Sequence, residues 1–323
     1  MVAHPSDATM SPSTVAETTR LGGLGVLDGE GLWTRYDDPE PLLAQVWPEG
    51  AQGSEVTRHL QQMYAEPVTP DLLAARVKEL RAAGGTTAVR LSPQHTVELA
   101  PVVLDSGVDI LVIQGTIVSA EHVSQRGTPL NLKEFIADLD IPVIVGGAAT
   151  YQTALHLMRT GAAGVIVGMG SDGYERSDAV LGIDVPMATA IADAAAARRD
   201  YLDETGGRYV HVIADGEMST SGAIAKAIAC GADAVMLGEL LASAGDAPGG
   251  GSWWHTVAAH PKLPRGEVSV PHKGSETLAT ILTGPSHDPT GQANVFGALR
   301  RAMAKTGFSD LKEFQKVGLT LLP

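Results

Sequence analysis

The chain has 323 residues, 44% of them apolar, a single cysteine and a formal net charge of −14. That length and apolar content suit one large α/β barrel or two smaller domains, while the charge excludes a broad nucleic-acid or anionic-membrane surface, which the chain would repel. One cysteine excludes an internal disulfide, and no apolar run is long enough to span a bilayer or patterned as a secretion signal, so the expected compartment is a bacterial-type cytoplasm.

In chain order, MVAHPSD reads as the tail of a first strand whose N-terminal part is missing, and GLGVL (23–27) as the next strand. Residues 28–66 break the rhythm; DGEGLWTRYDDPEPLL and SEVTRHLQQMYAEP predict an insertion with one or two short helices, in which MYAEP packs rather than catalyses. Strand-like runs then follow at TAVRLS (87–92), DILVIQG (109–115), PVIVGGA (142–148), GVIVGM (164–169), YVHVIADG (209–216) and AVMLGE (234–239). Between them DLLAARVKELRAAG, TALHLMRTGA, MATAIADAAAARRDYL and SGAIAKAIACGA return apolar residues at three and four, the period of an amphipathic helix. Continuously apolar strands are buried on both faces, which predicts a parallel sheet. The segments SGVDILVIQG, TGAAGVIVGM and CGADAVMLGE repeat one order of helix end, glycine, strand and glycine. Repeated βα units of this spacing predict a single (β/α)8 barrel over 1–323, with its chemistry on the loops after the strands. Residues 243–291, rich in glycine and proline and carrying Trp253, Trp254, Arg265 and Lys273, are expected to form a flap. The helical segments NVFGALRRAMAKTG and DLKEFQK close the chain.

Phosphate sites in such barrels use glycine-flanked turns after the seventh and eighth strands, where bare N–H groups meet the anion. IADGEMSTSG (213–222) and MLGEL (236–240) occupy those places, making Gly216 and Gly238 candidate phosphate ligands. Asp215 at its strand end suits two sugar hydroxyls, or a plain helix cap. Cys230, at the end of an apolar helix, reads as a small core residue rather than a nucleophile. His4 and His122, on post-strand or helix-start turns, could touch a ligand but read first as packed, hydrogen-bonded side chains; His211 reads as core, and no histidine and carboxylate spacing marks a metal site.

The segments LGGLGVL, AVRLSPQ, VIQGTIVSAEHVS, GGAATYQTALHLMRTGAAGVIVGMG, RYVHVIADG, AKAIACGADAVMLG and GALRRAMAKTGFSDLKEFQ resemble the IMP dehydrogenase and GMP reductase family. More closely they resemble its short actinobacterial, IMP-dehydrogenase-related branch, in which AEPVTPDLLAARVKELRAAGGTTAVRLS runs on without the inserted regulatory (CBS) domain. The resemblance implies a TIM barrel, purine-nucleotide-like ligands and frequent homotetramers. It also implies a cysteine after the sixth strand that attacks the purine before hydride transfer. Aligning GMG and LGIDVP in VGMGSDGYERSDAVLGIDVP (167–186) on that loop puts Glu175 in the cysteine's place, with Asp172, Tyr174 and Arg176 around it. After strand seven Glu217 replaces the usual glycine, Ala223 stands where the following helix start has an acidic residue, and Glu239 follows the retained Gly238. A carboxylate about 4 Å from a phosphate opposes it by roughly 4 kcal/mol per charge pair at an effective dielectric of 20.

From this the expected chemistry is non-redox: a purine base joined to, or cleaved from, a sugar phosphate at the N-glycosidic bond, as in nucleoside-antibiotic biosynthesis of the psicofuranosyl type. Glu175 would serve as the acid or base, its pKa raised by burial beside Tyr174, and Asp172 and Glu217 would stabilise an oxocarbenium-like transition state. Gly170, Gly173, Tyr174, Asp215, Gly216, Gly238 and Glu239 would bind the ligand. A pyrophosphate donor would bring Mg2+; NAD is not expected. The alternatives are an inactive paralogue that binds purine nucleotides or a partner barrel, and an oxidoreductase working without cysteine.

Overall fold

A computed structural model describes residues 1–47, 51, 53–115, 121–122, 130–168, 179–180, 182–260, 268–269, 274–287 and 289–320. Eight parallel strands form one sheet: β1 (Val2–Ala3), β2 (Val26–Asp28), β3 (Ala88–Leu91), β4 (Ile110–Gln114), β5 (Val143–Ala148), β6 (Gly164–Val167), β7 (His211–Asp215) and β8 (Ala234–Leu237). From β2 to β8 each pairs with its neighbour in chain order, and β1 pairs with β8 through Val2 opposite Met236 and Ala3 opposite Leu237. The last seam, between β1 and the approach to β2, is a single bridge of Val2 and Leu24, with the Ala3 amide donating to the Leu24 carbonyl at 2.8 Å and the Leu24 amide to the Met1 carbonyl at 2.9 Å. All eight barrel strands are therefore present, and the first consists of two paired residues.

Continuously apolar strands arise because each supplies two cores. Val2, Val26, Ala88, Val112, Ile144, Ile166, Ile213 and Met236, one from each strand, meet in the lumen. The alternate residues, among them Leu27, Val89, Leu111, Val145, Val165, Val212 and Val235, pack outward in the second core against the helices. The helices are α1 (Pro12–Arg20), α2 (Gly53–Met63), α3 (Pro70–Ala83), α4 (Thr96–Asp105), α5 (Leu132–Ala137), α6 (Tyr151–Met158), α7 (Met187–Thr205), α8 (Ser221–Ala229), α9 (Glu239–Ala242), α10 (Leu278–Thr283), α11 (Val295–Lys305) and α12 (Leu311–Phe314). Local chemistry starts and stops them. Ser11 and Thr14 form a capping box at α1, the Thr150 and Thr220 hydroxyls accept the N3 amides of α6 and α8, and α7 ends at Gly206 with φ of 68°.

The insertion after β2 holds a single turn at Leu32–Thr34, a short helix at Glu40–Leu43 and α2, and Tyr64 at its end is packed and hydrogen-bonded rather than open to solvent. In the expected flap, Trp253 and Trp254 pair antiparallel with Ser269 and Val268, and both indoles are buried. Arg265 and Lys273 lie outside the described residues. One histidine differs from expectation: His211 is exposed, stacked edge-on to Tyr209 at 5.3 Å, because it opens β7 where the strand has not yet entered the core.

Candidate functional site

The C-terminal ends of the strands open into a cleft of about 290 Å³. β1 delivers His4 to it, β7 delivers Asp215 and the turn Gly216–Ser219, β8 delivers Gly238, Glu239 and Leu240, and Trp253 forms a wall. Expected ligand residues thus meet where the strand order predicts, and they meet a histidine that sequence reasoning treated first as packing. A second hollow of about 170 Å³ adjoins it, sharing Ser219, Glu239 and Leu240 and reaching Glu276 and Gln292.

Asp215 is the last residue of β7, and Gln114 at the end of β4, across the barrel mouth, donates through Nε2 to its Oδ2 at 2.9 Å. Gly168 makes that placement achievable. Its φ is 155°, and a Cβ there would stand 1.8 Å from the Asp215 carbonyl oxygen, so the chain leaving β6 can pass this close only as glycine. Gly238 lies under the Trp253 indole, 2.5 Å from where its own Cβ would be. The loop that follows Gly168 carries Gly170, Asp172, Gly173, Tyr174 and Glu175, all outside the described residues, while the main chain of His122 pairs antiparallel with Leu130.

Gln114 is held in turn. Arg90 of β3 donates through Nε and Nη2 to the Gln114 carbonyl oxygen at 3.1 and 2.7 Å, and through Nη1 to Asp28 Oδ1 at 3.3 Å. Beside it, Glu30 Oε2 meets His95 Nδ1 at 2.5 Å and accepts from Ser92 Oγ at 3.0 Å, while Glu30 Oε1 accepts from the Ser92 amide. Burial raises the Glu30 pKa, but the His95 hydrogen bond, the Arg90 charge and the Ser92 amide outweigh it and hold the carboxyl at about 2. The same contact raises His95. Asp7 behaves oppositely. Burial and the Asp28 charge push its carboxyl up to about 7, against the Tyr64 hydroxyl and the Leu32 amide that donate to Oδ2. Trp254 Nε1 donates to the Tyr64 hydroxyl oxygen at 3.2 Å, and Ser6 Oγ to the Trp254 carbonyl at 2.7 Å, which ties the tryptophan strand to the mouth.

His4 is 2% exposed. Its main chain is pinned, the amide donating to the Leu237 carbonyl at 2.9 Å and the carbonyl accepting from Thr9 Oγ1 at 2.6 Å. Its ring lies edge-on to Trp253 at 5.0 Å and 4.6 Å from the ring of His255. Neither ring nitrogen has a hydrogen-bond partner among the described residues, so the expectation of a hydrogen-bonded histidine is corrected. Burial, then the neighbouring charges of His255 and Arg90, hold its pKa well below the usual histidine value and keep the imidazole neutral. His255, Arg90 and Gln114 are site residues that sequence reasoning missed. The one available signal was the Asp-Gly pair at 28–29, a strand end of the same type as 215–216.

Cys230 caps the C-terminal end of α8, whose N-terminus follows the Asp215 turn. Nine helical residues, about 14 Å of rise, separate it from the mouth, and burial raises its pKa. The only thiol in the sequence is thus remote from the cleft.

Residues 72–281 match the model of the IMP dehydrogenase / GMP reductase domain. The chain belongs to the IMP dehydrogenase/GMP reductase family. It is 60% identical to uncharacterized oxidoreductases of Mycolicibacterium smegmatis and Mycobacterium tuberculosis, over 99% of this chain and 87% of each relative. It is 40% identical to the inosine-5'-monophosphate dehydrogenase of Haemophilus influenzae over 56% of this chain and 33% of that enzyme. The crystal structure of an IMP dehydrogenase/GMP reductase-like protein from Corynebacterium glutamicum superposes with a TM-score of 0.93 at 53% identity, over 99% of this chain and 85% of that one. Among the described residues no helix is long and apolar enough to cross a membrane.

Proposed function

We propose that this family member binds a purine nucleoside monophosphate in the cleft between β7 and β8 and acts on it without a thiol nucleophile. The observation that carries the reading is Asp215, fixed by Gln114 at the end of β7 beside Gly216 and opposite Gly238. A carboxylate so placed accepts from both hydroxyls of a ribose, and the turn Gly216–Ser219 lines the same cleft, where main-chain amides after a strand end suit a phosphate. The remoteness of Cys230 supports chemistry that forms no covalent bond to sulfur.

For the reaction class, the names of the 60% identical relatives favour an oxidoreductase. The N-glycosidic chemistry expected from Glu175 gains no support from these relatives, and nucleotide binding at Asp215 does not depend on it. The test is calorimetric titration with IMP, GMP and XMP of the wild type and of Asp215→Ala. It is paired with absorbance and mass-spectrometric turnover assays in the presence of oxidised or reduced nicotinamide dinucleotides, and of purine bases with sugar phosphates. Saturable nucleotide binding that Asp215→Ala weakens is expected. Absence of binding by every nucleotide overturns the reading; binding without turnover identifies a nucleotide-binding paralogue rather than an enzyme.

A further inference from the structure

The cleft poses an electrostatic problem. Among the described residues its lining holds the carboxylates of Asp215, Glu217 and Glu239 and no lysine or arginine, which is unfavourable for an anion unless a cation intervenes. It also holds an imidazole in an unusual state. A buried polar nitrogen left unpartnered costs about 1–3 kcal/mol, and His4 has two, while His255 Nδ1 is a third beside it.

We infer that His4, His255 and Asp215 form a binding site for a divalent first-row transition cation. One ligand atom from each of the three lies within 4.8 Å of the others. With metal–ligand bonds of about 2.1 Å, tetrahedral neighbours stand roughly 3.4 Å apart, so modest side-chain rotation brings the three atoms onto one ion. Two imidazoles with one carboxylate suit Zn2+, Fe2+ or Co2+, whereas Mg2+ and Ca2+ favour all-oxygen sites. The supports are those of a built site. His4 is fixed at the end of β1 by its main-chain hydrogen bonds and by Trp253, and Asp215 is oriented by Gln114, the outer hydrogen bond typical of a metal-binding carboxylate. Three protein ligands leave coordination positions open, and since His4 and Asp215 both line the cleft, those positions open into it. A dication there offsets the surrounding carboxylates and gives an anionic ligand an electrophilic partner. The three residues stand at positions 4, 215 and 255, which is why no spacing in the sequence announces them. The metal site does not depend on nucleotide binding and is tested without a nucleotide.

The experiment uses untagged full-length protein, freed of metal by chelator and titrated with Zn2+ or Co2+ alone. Bound metal is counted by equilibrium dialysis with mass spectrometry, and Co2+ coordination is read from visible absorption. One equivalent is expected, with a Co2+ spectrum of nitrogen and oxygen ligation. His255→Ala and Asp215→Asn should each weaken binding by more than tenfold, and Gln114→Ala by about tenfold. Cys230→Ser and His211→Ala should bind as the wild type does. His4→Ala should also lose the metal; because His4 is buried, that variant counts only if its melting temperature shows it folded, and the less buried His255 decides otherwise. Binding well below one equivalent, binding that survives both His255→Ala and Asp215→Asn, or a preference for Mg2+ over Zn2+ overturns the inference.

Discussion

Replacing Glu30 by Gln removes the charge from the network beside the cleft while keeping the side chain's shape. The wild-type carboxyl is held at about 2 against an ordinary 4.5. At about 1.4 kcal/mol for each tenfold change in proton affinity, the environment favours the ionised form by roughly 3 kcal/mol in the folded state. The side chain is largely buried, so water screens little of this. Because the folded-state pKa is depressed, the contribution is fully present above pH 4.5 and is lost as pH falls toward 2. Glu30→Gln should therefore destabilise the barrel by roughly 3 kcal/mol at pH 7 and by about half that near pH 3. Chemical denaturation of both proteins at several pH values measures this, and the His95 pKa, followed by NMR, should fall in the variant because its raised value depends on Glu30. A stability loss below about 0.5 kcal/mol at pH 7, or a loss that does not shrink on acidification, refutes the electrostatic account of this cluster.

Asp7 should show the opposite pH dependence. Its pKa is raised from 3.8 to about 7, so the folded state retains a proton that the unfolded chain has released, and stability falls as pH rises through that window. Asp7→Asn should match the wild type near pH 4 and be the more stable protein at pH 8, by up to roughly 4 kcal/mol, as read from denaturation midpoints. Gly168→Ala places a methyl 1.8 Å from the Asp215 carbonyl at a φ of 155°; it should cost several kcal/mol and abolish ligand binding, seen as a lowered melting temperature and a flat titration. Gly238→Ala meets the Trp253 indole at 2.5 Å and should weaken nucleotide binding with a smaller loss of stability, because a side chain rather than main chain must move. Calorimetry of the two glycine variants side by side separates these effects.

Much of the barrel was legible because its signals are local. Each of the seven apolar runs from GLGVL to AVMLGE became a strand, with boundaries moved by a few residues, since continuous burial follows from having the lumen on one face and helices on the other. Asp215, Gly216 and Gly238 were also legible, for a residue at a strand end in a βα unit must lie at the mouth. His211 was misplaced because an apolar neighbourhood in the chain does not say whether the first residue of a strand is covered. Even so, the sequence by itself determined the order of strands and helices and the remoteness of its one cysteine from strand ends. Only the tertiary structure decided which strand ends face each other across the mouth: Arg90 with Gln114, Gln114 with Asp215, and His4 with His255. Periodicity records how a segment is buried within a few residues, whereas these contacts depend on how far the sheet curls before β1 meets β8, a property of the closed barrel rather than of any segment.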